Sequence, residues 1–152
     1  VVERQIYKYR DDIRNRVRIS DEEVQGLLRF VVRRPDGPTV FYAVGRLLGR
    51  VQKGPWLVRH LPKGIQFKVV RRRVRRLLVH LFGRTIVGFA HGRFVIEGRS
   101  SLLVQADPGG GACQLLSGLS EEVISRTLGR PVSVDHTLCQ GRGDDRCRWQ
   151  AS

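Results

Sequence analysis

The sequence predicts a mixed α/β domain of the α+β kind, a small antiparallel sheet with helices packed on one side. Three observations lead there. Short runs rich in valine, isoleucine and phenylalanine at 84–90 and 93–98 flank a His91-Gly92 turn, which reads as a pair of strands. Longer segments at 39–53 and 64–82 repeat apolar residues at helical spacing. Near the end, Val132 and Val134 alternate with Ser133 and Asp135 within 131–138, and a turn-forming cluster at 140–145 leads to a short segment at 146–151. That is the pattern of a hairpin.

Residues 1–12 are expected to be a connector or N-terminal extension, and 13–152 a single domain. A chain of 152 residues is of one-domain length and can bury roughly two-thirds of its surface. It contains no methionine, so its natural start is expected to be missing. At 13–19, Ile13, Val17 and Ile19 alternate with arginines, as in a half-buried strand. Ser20 and Glu23 form a capping box, in which each side chain satisfies the other residue's backbone donor. The helix that follows carries Leu27, Leu28 and Val31 and ends at the breaker Arg34-Pro35-Asp36-Gly37-Pro38.

In the 39–53 helix, Phe41, Val44, Leu48 and Val51 make the apolar stripe, and Gly45 and Gly49 share a face that a neighbour can approach closely. Gly54-Pro55-Trp56 closes this helix, with Trp56 in the core or in a pocket wall. The 64–82 helix is two-faced. Val70, Val74, Leu77, Leu78 and Leu81 form its core side, while Lys68, Arg71, Arg72, Arg75 and Arg76 cover the other. Residues 102–105 are expected to extend or follow the second strand. Asp107-Pro108-Gly109-Gly110-Gly111 reads as a flexible loop leading into a helix that begins near Cys113.

Charge is distributed unevenly. Residues 1–82 hold 20 Lys and Arg against 7 Asp and Glu, whereas 83–152 hold 8 against 7. Between Asp36 and Glu97 there is no acidic residue and there are 13 basic ones. Such a surface attracts polyanions: nucleic acid, an acidic protein or anionic lipid. No apolar run approaches the roughly 18 residues of a membrane span, and no signal-peptide pattern opens the chain.

All three cysteines lie in the last third, and with one histidine they make a set: Cys113, His136, Cys139 and Cys147, spaced 23, 3 and 8 residues apart. Singly, each could be a buried small hydrophobe or a hydrogen-bonded imidazole. Together they are the donors of a closed structural zinc site, where soft thiolates and a neutral ring nitrogen fill four positions. In the hairpin Cys139 and Cys147 would face each other. His136 would come from the turn side of the first strand, and Cys113 from the start of the preceding helix. An odd number of thiols favours a reducing, cytoplasmic setting over a disulfide framework.

Cys113, a Gly118-containing helix, Leu128-Gly129-Arg130-Pro131-Val132, and then Cys139, Gly143-Asp144 and Cys147-Arg148-Trp149 resemble the C-terminal half of the 4-vinyl reductase domain family. Tyr42, Gly45 and Gly49 are similar to its N-terminal signature, so the resemblance covers most of the chain from about Ile13. It implies the ligand-binding fold shared with subunits of the transport-protein particles, a homodimer, and a small apolar or aromatic molecule as ligand. Metal-binding members hold zinc with three cysteines and a carboxylate; here His136 stands at the carboxylate position with Asp135 beside it. In the family the helix that carries Tyr42 borders the ligand cavity, and the loop before Cys113 lies near it as a lid. The cavity expected here is lined by Tyr42, Gly45, Trp56, Phe89, His91 and Phe94.

Enzymatic chemistry finds little support. His60, His80 and His91 stand apart in sequence, no nucleophile motif and no paired carboxylates in a plausible cleft are found, and the glycine run lacks the Lys-Ser/Thr of a phosphate loop. No nicotinamide or flavin fingerprint is present, whatever the family's name suggests. Arg142-Gly143-Asp144 is read as part of the hairpin turn and not as an adhesion motif. The function expected is therefore small-molecule sensing by a zinc-stabilised regulatory domain. One alternative is an adaptor that docks its arginine-rich face on an acidic protein, nucleic acid or membrane surface. Another is a carrier or accessory protein for tetrapyrroles.

Overall fold

The computed structural model describes residues 21–50, 56–82, 88–89, 94–98 and 102–152. In chain order its elements are α1 (Asp21–Val32), α2 (Gly37–Arg50), a 3-10 turn (Trp56–His60), α3 (Lys63–Phe82), β1 (Gly88–Phe89), β2 (Val95–Gly98) and α4 (Leu102–Ala106). A second 3-10 turn (Gly111–Cys113), α5 (Gln114–Leu128), β3 (Val134–Leu138), a third (Gln140–Arg142) and β4 (Cys147–Ala151) complete it. The fold is α+β, with an antiparallel sheet in the order β1-β2-β4-β3. The segments expected as a connector (1–12), a strand (13–19) and the Ser20 half of the capping box lie outside the described residues.

Helix α5 lies at the centre. Leu115, Leu116, Leu119, Val123, Ile124 and Leu128 bury nearly all round it, the pattern of a helix enclosed on several sides. Helix α2 crosses it at backbone contact. A Cβ on Gly45 would run into the Leu115 carbonyl oxygen, and one on Gly118 into the Tyr42 carbonyl oxygen. The close approach expected from Gly45 and Gly49 is thus matched by Gly118 on the facing helix. Buried Glu122 of α5 accepts two hydrogen bonds from Arg46 of α2, at 2.8 and 2.9 Å, with Arg50 at 3.4 Å and Arg126 at 3.7 Å.

Three local expectations change. Helix α2 begins at Gly37, ahead of position 39, because proline is tolerated in a first turn where its missing N–H has no intrahelical partner. Its buried line is Gly37, Phe41, Gly45 and Gly49, and Val44, expected in the apolar stripe, is exposed. The glycine seam takes the inner face and turns the larger side chain outward. Residues 102–106 form a helix and no strand, burying Leu103 and Ala106 three positions apart, which is helical spacing.

Helix α3 follows its pattern closely: Val70, Val74, Leu77 and Leu78 are buried, and Lys68, Arg71, Arg72, Arg75 and Arg76 are exposed. Among the described residues, no helix is long and apolar enough to cross a membrane.

The C-terminal hairpin closes one edge of the molecule. Strand β3 is tied to α5 through side chains: Val134 N–H donates to Glu121 at 3.3 Å, and Val132 N–H to the Ser125 hydroxyl at 3.0 Å. On the outer face of the sheet, Glu97 of β2 pairs with Arg148 of its neighbour β4. The inner face contributes Ile96 and Trp149, both fully buried, to the same core as α5.

Candidate metal centre

Cys113, His136, Cys139 and Cys147 converge. One donor atom from each lies within 4.8 Å of all the others, although the residues come from three separate segments. Cys113 ends the 3-10 turn that leads into α5, His136 sits on β3, Cys139 follows that strand and Cys147 opens β4. All three thiols are free and buried.

The hairpin is built to aim these groups. His136 is the cross-strand partner of Trp149, and the register slips between His136 and Leu138. Such a bulge bends a strand and re-aims side chains, and here Cys139 comes beside Cys147. The chain then turns through the Gln140–Arg142 segment, where Arg142 N–H donates to the Cys139 carbonyl at 2.8 Å and Gly143 takes φ 96°. The Asp144 carboxylate accepts the Cys139 N–H at 2.6 Å. Gln140 N–H points at the Cys147 sulfur at 3.4 Å, a contact that stabilises thiolate character.

The loop before Cys113 packs against this turn. Asp107 is buried and accepts the Gly109 N–H at 3.0 Å and the Ala112 N–H at 2.8 Å. Its carboxylate thereby organises the segment that was expected to be a flexible loop. Gly110 adopts φ 79°, and a Cβ there would lie 2.5 Å from the Cys139 sulfur. Only glycine meets both demands. Gly141 fits against the Pro108 carbonyl in the same way. The loop is a wall of the cysteine cluster.

The donor set suits a metal ion. Burial, reinforced by Cys147 and Cys139, pushes the Cys113 thiol well above its ordinary pKa, and burial also raises Cys147. Packed thiolates desolvate and repel one another, and a bound cation reverses both effects. Burial, aided by the Arg142 charge, lowers His136 to about 4, so its imidazole is neutral, the form that ligates metals. Its Nε2 is buried and has no hydrogen-bond partner. An orphaned buried nitrogen is costly without a partner, and beside three thiols a metal ion is a partner that all four donors can share. The cluster could hold a metal ion. Asp135, the neighbouring carboxylate, is exposed on the opposite side of the strand.

The residues expected around a small-molecule cavity fall on several elements. Tyr42 donates its hydroxyl to Glu121 at 2.5 Å, Gly45 is packed on α5, and Phe94 is buried in the core. Trp56 opens a 3-10 turn and Phe89 ends β1, while His91 lies outside the described residues. Tyr42 does line an open depression of about 230 Å³ with Pro38, Thr39 and Gln114.

Asp107, Gly110, Asp144 and Trp149 shape the centre without having been assigned to it from sequence. For Asp107 a signal was present, since Asp-Pro-Gly favours a side-chain-capped turn. No protein-family model matches the chain, and a search of curated proteins found no relative.

Proposed function

We propose that the chain is a non-catalytic binding domain of the 4-vinyl reductase type, held at its sheet edge by a structural zinc on Cys113, His136, Cys139 and Cys147. One observation carries the metal assignment: four donors of the right softness, from three segments, meet within 4.8 Å in a buried place. Four protein donors leave no position for water or substrate, so the metal would serve the fold and no reaction. Free buried thiols support a reducing, cytoplasmic setting.

The resemblance supports a small apolar or aromatic ligand, and the depression beside Tyr42 offers it a place. Native mass spectrometry with metal quantification tests both parts. One zinc per chain, released on unfolding, is expected, together with a small-molecule adduct. A folded chain that takes up no zinc would overturn the reading.

A second reading, an adaptor that docks through α3, is favoured by a separate observation. The inner side of α2 is filled by α5, whereas Lys68, Arg71, Arg72, Arg75 and Arg76 all face outward on α3.

A further inference from the structure

We infer that the outer face of α3 lies along the phosphate backbone of a nucleic-acid duplex. The inference rests on the docking reading just given and names its partner.

Four observations select that partner. The exposed cations Lys68, Arg71, Arg72, Arg75 and Arg76 occupy nine consecutive positions of one helix, about 12 Å along its axis. A duplex carries one charge per about 1.7 Å with both strands counted, so that length of duplex contains about seven phosphates on its two strands, a charge density of the same order as that of the five side chains. The sequence between Asp36 and Glu97 contains no acidic residue, so the helix carries no negative charge of its own. Four of the five are arginines, whose planar fork matches phosphate oxygens better than an ammonium does.

The competing partners each lack a feature. Helices that lie in a bilayer interface bury an apolar face there, but Val70, Val74, Leu77 and Leu78 are committed to the core. Among the described side chains of α3, the large apolar ones that are exposed, Ile65 and Val79, stand fourteen residues apart, about 21 Å, and do not form one inserting patch. Protein interfaces centre on a desolvated aromatic or aliphatic anchor, whereas the middle of this face is entirely cationic. Single strands need aromatic stacking platforms, and the face between Lys68 and Arg76 contains no aromatic residue. A duplex backbone needs only the charges, and it is read without sequence preference.

The test uses the zinc-loaded chain and a fluorescently labelled duplex of mixed sequence, followed by anisotropy from low salt to about 150 mM. The expected logarithmic salt slope is about −4 to −5, from about 0.9 per neutralised phosphate. Arg72→Gln, Arg75→Gln and Arg76→Gln combined should reduce the slope by about 2 to 3 and the affinity at least tenfold. Arg29→Gln, Arg33→Gln and Arg130→Gln, exposed cations off this helix, remove the same charge and should change binding much less. Equal losses in the two triple variants would overturn the inference, because net charge alone would then explain binding. Vesicles containing phosphatidylserine and a polyglutamate chain are run in parallel. If either is bound more tightly than duplex and released by the α3 triple variant, the duplex assignment falls while docking through α3 stands. If binding of no partner depends on α3, both fall.

Discussion

The imidazole of His136 lies flat against the indole of Trp149, with ring centroids 4.8 Å apart and planes within 9°. The same indole donates its N–H to the Cys113 carbonyl oxygen at 3.1 Å. One fully buried side chain therefore orients one donor of the cluster and anchors the backbone of another.

Two substitutions separate these roles. Trp149→Phe keeps a ring under His136 but leaves the buried Cys113 carbonyl without its donor, an expected loss of about 1–3 kcal/mol. Trp149→Ala also removes the packing and should cost about 3–5 kcal/mol. Urea unfolding of the metal-loaded protein measures both. A Trp149→Phe variant as stable as the parent would show that the N–H bond contributes nothing.

Metal removal should act locally. A metal on the four donors would tie the hairpin to the head of α5, whereas α2, α3 and α5 are joined by their own buried contacts. Chelation is expected to lower the melting temperature and abolish the near-ultraviolet signal of Trp149 while far-ultraviolet helicity persists. In the metal-free chain, His136 is held neutral, with its pKa lowered from 6.5 to about 4 by burial and Arg142. The fold then binds fewer protons than the unfolded chain between these values, so its stability falls as pH drops from about 6.5 to about 4 and is complete above that window. His136→Gln should flatten this part of the curve, and an unchanged slope would assign it to other groups.

The cluster was legible in sequence because cysteine is scarce here and its chemistry is specific: the four residues, the hairpin and the helical position of Cys113 all follow from identity and spacing. Its supports were not legible. The uses of Asp107 and Asp144 depend on which backbone donors the folded loops bring to their carboxylates. The bulge beside His136 leaves no mark in an alternating pattern. Val44 was misplaced for a related reason. Periodicity weighs side-chain size, while the α2 and α5 seam is chosen by the absence of side chains at Gly45 and Gly118.

That seam gives a sharp contrast among helical glycines. Gly45→Ala and Gly118→Ala each place a methyl into a carbonyl oxygen of the facing helix, so the helices must separate. Each should cost more than the 1–3 kcal/mol typical of overpacking. Gly26, on α1, is exposed and has nothing within 4 Å of its would-be Cβ. Gly26→Ala should stabilise by about 0.5–1 kcal/mol. Thermal melts of the three variants decide it, and a tolerated Gly118→Ala would mean that the helices do not touch as described.

A second pair of glycines separates backbone strain from damage to the centre. Gly110 and Gly143 both have positive φ, 79° and 96°, in segments that flank the cysteines. Gly143 has open space around its would-be Cβ, so Gly143→Ala carries only the left-handed penalty of about 1–2 kcal/mol. Gly110→Ala carries that penalty and also drives a methyl to 2.5 Å from the Cys139 sulfur, displacing a donor. Metal affinity, measured by competition with a chromophoric chelator, should therefore fall about 10–100-fold for Gly110→Ala, the range typical of outer-shell changes. It should hold for Gly143→Ala, although both variants lose stability. Equal affinities in the two would show that the Gly110 loop does not wall the metal centre.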